Sequence, residues 1–137
     1  MIDERMQEQR ELLRLKAELL NLICASNKCN TEIERCEEQI ASMRGAFNKI
    51  SYNIQRQKES NKELALSDFR FIKTWVEHQN LSNNNHYKKI FNNMDQALSD
   101  YKNMKLSLVK KYDDYQIRIN KLKDQIKQLE FKMRSEV

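Results

Sequence analysis

Hydrophobic residues recur along the first half of this chain at alternating intervals of three and four. From Leu12 the count meets Leu15, Leu19, Leu22, Ser26, Cys29, Ile33, Cys36, Ile40, Met43, Phe47, Ile50, Ile54, Gln57, Asn61, Leu64, Asp68, Phe71, Trp75 and His78, and fifteen of these twenty positions are apolar. This spacing keeps one stripe on one side of a slightly under-wound helix, which is the pattern of a coiled coil. It predicts a helix A over about residues 4 to 79.

The stretch Asn80 to His86, NLSNNNH, breaks the pattern in composition and in phase. Asn and Ser side chains compete for backbone hydrogen bonds and favour caps and turns. Continuing the first ladder would place Ser82, Asn85, Lys89 and Asn92 inward, whereas the apolar residues are Tyr87, Phe91 and Met94. A turn is therefore expected at about 80 to 86, followed by a helix B over about 87 to 135. Its ladder is Tyr87, Phe91, Met94, Leu98, Tyr101, Lys105, Leu108, Tyr112, Tyr115, Ile119, Leu122, Ile126, Leu129, Met133 and Glu136.

A short polar connection makes consecutive helices antiparallel neighbours. The expected fold is all-α: an antiparallel helical hairpin or coiled coil, one elongated unit over 1–137, oligomeric or part of a bundle. If facing residue numbers add up to about 162, Lys105 meets Gln57 and Tyr101 meets Asn61, so polar rungs oppose each other; a neighbouring register adds up to about 169. The hairpin seam then comprises Ile33, Ile40, Met43, Phe47, Ile50, Ile54, Leu64, Phe71 and Trp75 on helix A and the apolar and Tyr rungs of helix B. Gly45 falls at an outer heptad position, where a helix carries it at a cost of about 1 kcal/mol relative to Ala.

At 1.5 Å per residue helix A would be on the order of 110 Å long and helix B about 75 Å, leaving the N-terminal third of A uncovered. There the apolar face widens: Leu13, Leu20 and Ile23 lie beside Leu12, Leu15, Leu19 and Leu22. A two-helix seam needs only two positions in seven, so these seven residues are the expected partner interface.

Composition reinforces the helical reading. The chain has one Gly and no Pro, where an average one of its length carries roughly ten and seven, so few sharp turns are available. A third of the residues are charged, and the apolar content suits seams between helices rather than an enclosed core. No apolar run reaches the ~18 residues of a membrane span, and the start, MIDER, lacks a signal-peptide layout. A soluble intracellular protein is expected, in cytoplasm or nucleus.

Charge is uneven. Residues 1–85 hold 13 basic and 13 acidic side chains, while residues 86–137 hold 12 and 7, which supplies the net +5. Helix B could meet nucleic acid, an acidic polymer or an anionic membrane. The favoured reading is that its cations solvate the outer face and offset carboxylates of the partner helix, since Lys88-Lys89 and Lys110-Lys111 fall short of the longer runs that mark a basic patch.

Motifs for chemistry are lacking. There is no nucleophile elbow, phosphate loop or HExxH. Cys24, Cys29 and Cys36 are odd in number and lack Cys-x-x-Cys spacing; Cys29 and Cys36 fall on the ladder as small hydrophobes. His78 and His86 flank the expected turn as capping or interface residues, because a metal site needs three or four convergent ligands. No enzyme activity, cofactor or metal is expected.

These features point to a non-enzymatic scaffold that assembles with itself or with partner coiled-coil helices in a larger complex. In general architecture it resembles small subunits of kinetochore, spindle or synaptonemal assemblies, a likeness shared by many unrelated families. The alternative is a basic helical module that binds nucleic acid or an anionic membrane directly.

Overall fold

The computed structural model describes residues 2–66 and 69–136. Two helices, α1 (Ile2–Ala65) and α2 (Arg70–Ser135), pack against each other as a helical hairpin. No strand occurs among the described residues. Acidic Asp3 and Glu4 open α1, and Lys132 and Arg134 close α2, each matching the partial charge of its helix end. Gly45 lies inside α1 without interrupting it.

The turn is not where the sequence places it. The segment 80–86 lies within α2, and the chain reverses between Ala65 and Arg70. Leu66 N–H donates to the Glu63 carbonyl over 3.1 Å, a tightened closure of α1. The Phe69 carbonyl accepts from the N–H groups of Ile72 and Lys73, which opens α2. Ser67 and Asp68 lie outside the described residues, and with them the expected rung at 68.

Helix continuity through NLSNNNH is a case of packing overriding propensity. Each Asn or Ser costs up to about 0.7 kcal/mol relative to Ala in a helix interior. Against this, the second ladder extends backward from Tyr87 through Asn83, Asn80, Val76 and Ile72, all turned inward, with Val76 fully buried. Asn61 Nδ2 donates to Asn80 Oδ1 over 3.1 Å, so the amides at those rungs are used across the seam rather than in a turn.

The earlier turn changes the register. Gln57 meets Tyr87 and Asn61 meets Asn80, where Lys105 and Tyr101 were expected. Polar rungs do oppose one another, but with different partners. The two helices are also nearly equal, 64 and 66 residues, so the N-terminal third of α1 has no overhang.

The chain divides into two units. The first comprises Met1–Arg35 with Met104–Val137. Its core is Leu15, Leu22, Ile119, Leu122 and Ile126, with Leu12, Leu19, Ile23, Tyr115 and Leu129 packed against them. At roughly 1.5–3 kcal/mol per buried side chain the five central residues contribute on the order of 10 kcal/mol, an upper figure because the unfolded chain is itself partly compact. Ser26, only 2% exposed, accepts a hydrogen bond at Oγ from Gln116 Nε2 over 2.7 Å. Cys29 Sγ donates to the Leu108 carbonyl at 3.3 Å.

The second unit is Cys36–Asn103. Its buried apolar residues are Cys36, Ile40, Ile54 and Val76. The Phe47 and Phe91 rings pack at 5.4 Å between centroids, tilted by 42°. Met43, Ile50, Met94, Leu98 and Tyr101 are half-buried along the same seam.

Candidate functional site

The seven residues expected to form a partner interface divide sharply. Leu12, Leu15, Leu19, Leu22 and Ile23 belong to the hairpin's own core, because α2 runs back far enough to cover them. Lys132 Nζ reaches Glu8 Oε1 at 3.3 Å, and Lys16 Nζ reaches Glu130 Oε1 at 3.2 Å. Leu13 and Leu20 remain outside, 69% and 62% exposed.

These two are part of a second stripe. Met6, Leu13 and Leu20 are spaced by seven, and Ala17 and Cys24, also exposed, fall between and after them at helical intervals. Only Arg10 interrupts this outer seam. α1 is thus apolar on two sides here, one filled by α2 and one open.

Charges border the open stripe. Arg14 grips Glu11 with two hydrogen bonds, Nε to Oε2 at 2.9 Å and Nη2 to Oε1 at 2.6 Å, and reaches Glu18 at 3.3 Å. The hydrogen bond from Arg14 holds the Glu11 carboxyl below its ordinary pKa and raises that of Arg14 in return. An open groove beside this pair is lined by Glu11, Arg14, Leu15, Gln125, Gln128, Leu129 and Lys132.

On the seam, Ile33, Ile40, Ile54, Ile119, Leu122 and Ile126 are buried, and Leu108, Tyr112, Leu129 and Met133 are half-buried. Three expected members fall outside it. Leu64 is 45% exposed at the end of α1, while Phe71 (75%) and Trp75 (53%) point outward from α2. The first ladder carries these residues in phase only if α1 continues past Ala65; since it stops, the inward positions of α2 are Ile72 and Val76. Phe71, Trp75 and His78 instead line an open groove with Arg70 and Thr74.

Two further residues escape the reading of the ladder. Glu8, one step before Leu12 in the same count, is drawn into the interface, and its side chain is only 14% exposed. Its Oε2 is enclosed without a hydrogen-bond partner. Ser26 is legible as a polar rung but its partner Gln116 is not, because Gln116 sits one position beside the Tyr115 rung.

Cys29 and Cys36 are buried and Cys24 exposed. Among the described residues no group of three or more His, Cys, Asp or Glu converges as metal ligands, and no helix is long and apolar enough to cross a membrane. No family model matches the chain, and no curated protein or solved structure matches it.

Proposed function

We propose that the protein is a non-enzymatic scaffold, a hairpin whose α1 docks a partner helix along its outer stripe within a larger intracellular complex. The observation that carries this reading is the pair Leu13 and Leu20, about two-thirds exposed and one heptad apart on a helix whose inner face is already satisfied by α2. Exposed apolar side chains in register with a seam have the layout of an interaction surface rather than of scattered surface residues. An occupying helix would present apolar residues at the same spacing and a carboxylate opposite Arg10.

Replacing Leu13 and Leu20 together with Glu tests the proposal. The hairpin's melting should change little, since neither side chain contributes to its core, while crosslinked assembly and partner capture disappear. Assembly that survives the double substitution would remove the outer stripe as the docking face.

A further inference from the structure

We propose that the outer stripe of α1 takes an acidic amphipathic helix from a different chain, seated in the groove between that stripe and a basic row on α2. The inference rests on the docking reading above and adds the chemistry of the occupant. Lys16 fixes the geometry. It lies three residues after Leu13 and four before Leu20, so it borders both on the helix surface, and its Nζ is 3.2 Å from Glu130 Oε1 on α2. The open apolar stripe and the surface of α2 around Glu130 are therefore the two sides of one groove. Ile23, half-buried and packed against the hairpin core, continues the border of Lys16 one heptad on.

Charge on the α2 side identifies the occupant. Lys127 and Arg134 stand three residues before and four after Glu130, and Lys123 stands four before Lys127; all three cations are exposed. With Lys16, and with Arg10 on the stripe itself, the groove carries five cations against three carboxylates: Glu130, already held by Lys16, Asp124 beside Lys127, and Asp3 ahead of Met6. Glu11 and Glu18 belong to the opposite border, where Arg14 holds them. A helix with apolar residues at heptad spacing and carboxylates along one flank answers both sides of the groove together. A second copy does not, because neither row bordering its stripe between Gln7 and Lys28 holds a carboxylate. Two paired stripes would crowd Arg10, Arg14 and Lys16 of one copy with those of the other. In such a seam the apolar contacts supply affinity, while the exposed charges choose the partner and its orientation.

Two labelled synthetic helices test this, one with Leu at heptad spacing and Glu along one flank, the other with Lys in place of each Glu. Titrated with the full chain and followed by fluorescence anisotropy, the Glu helix should bind on the order of tenfold tighter than its Lys twin, and added salt should shrink the difference. Lys123→Glu with Lys127→Glu should reverse the preference while melting like the parent, as both side chains are exposed. Leu13→Glu with Leu20→Glu should bind neither helix. Equal binding of the two helices by the parent, lost in the Leu variant, would overturn the acidic partner and leave the docking stripe standing. Binding that survives in the Leu variant would overturn both. Alone, the chain should sediment as a monomer at micromolar concentration; a dimer that the Leu variant dissolves would overturn the proposal by placing a second copy on the stripe. A DNA oligonucleotide that displaces the Glu helix and binds the parent and the Leu variant alike would also overturn it, since the basic row would then serve nucleic acid.

Discussion

Gln116 reaches across the hairpin to Ser26, its Nε2 donating to Oγ over 2.7 Å at a rung where Ser26 is all but sealed from water. Hydrogen bonds at such a place contribute modestly when made and cost more when half-broken. Ser26→Ala should therefore lower stability by about 1 kcal/mol, while Ser26→Ala combined with Gln116→Leu should recover much of it. A double-mutant cycle by urea denaturation measures the coupling, and strict additivity would show that the bond contributes nothing in solution.

Gly45 offers a gain. A Cβ built at this position meets nothing within 4 Å, and the residue lies well inside α1. Gly45→Ala should stabilise the chain by about 1 kcal/mol through backbone entropy alone. Thermal melting checks this, with an unchanged or lowered transition as the contrary result.

Insertion tests the position of the turn. A Gly-Ser segment between Asn83 and Asn84 should be disruptive, because it slips Asn80 and Val76 against Tyr87 within one helix and moves a set of rungs off the seam. The same segment placed between Leu66 and Phe69 should cost only about 0.6 kcal/mol per doubling of the loop. Comparing the two variants by circular dichroism and melting distinguishes this hairpin from one that turns at 80–86.

Charge placed on the seam should scale with burial. Ile119→Asp puts a carboxylate where the parent side chain is 4% exposed, and should cost upward of ~3 kcal/mol. Leu98→Asp, at a half-buried rung, should cost less. Equal melting of the two variants would contradict the gradient of burial along α2.

The Arg14–Glu11 pair predicts a pH effect of defined sign. Because the folded-state pKa of Glu11 is depressed, the pair's contribution is present above the unfolded carboxylate pKa of roughly 4.3 and is lost as pH falls through the lower folded value. The pair lies on the solvent-exposed surface, so salt should screen it and the stability change should be small. Nuclear magnetic resonance titration of Glu11 should show a low midpoint that returns toward the ordinary value in Arg14→Gln.

Hydrophobic spacing alone makes much of this fold legible. Rungs from Leu12 to Ile54 and from Tyr87 to Met133 are read correctly as inward-facing, because a seam needs one stripe and a three-four count finds it. The turn is misread for two physical reasons. Leu64, Phe71 and Trp75 stay in phase with α1 by their spacing although they lie at or beyond its end, and Asn-rich sequence imitates a loop where the Asn61–Asn80 hydrogen bond and the buried Val76 hold a helix on the seam. Ser67-Asp68, residues of cap-forming type, is the signal that the ladder count absorbs as one polar rung. The proposed docking stripe is half legible for the same cause: a turn placed too late makes α2 too short, so Leu12, Leu15, Leu19, Leu22 and Ile23 look uncovered along with Leu13 and Leu20.

The pairing of Asn61 with Asn80 bears on how the chain folds. These residues are only 19 apart, against 90 for Ser26 and Gln116, so contacts beside the connection have a closure cost lower by about 1.4 kcal/mol. Yet among the described residues beside the connection Val76 is the one buried apolar side chain, next to the polar pair, while the five-residue apolar cluster joins residues distant in sequence. Zippering outward from the turn would thus climb in free energy before it is rewarded. Folding should be rate-limited by the late meeting of Leu15 and Leu22 with Ile119 and Ile126, and be slower than helical content alone implies. Substitutions at those four residues should retard folding, whereas changes at Asn61 or Asn80 should chiefly hasten local opening of the turn end.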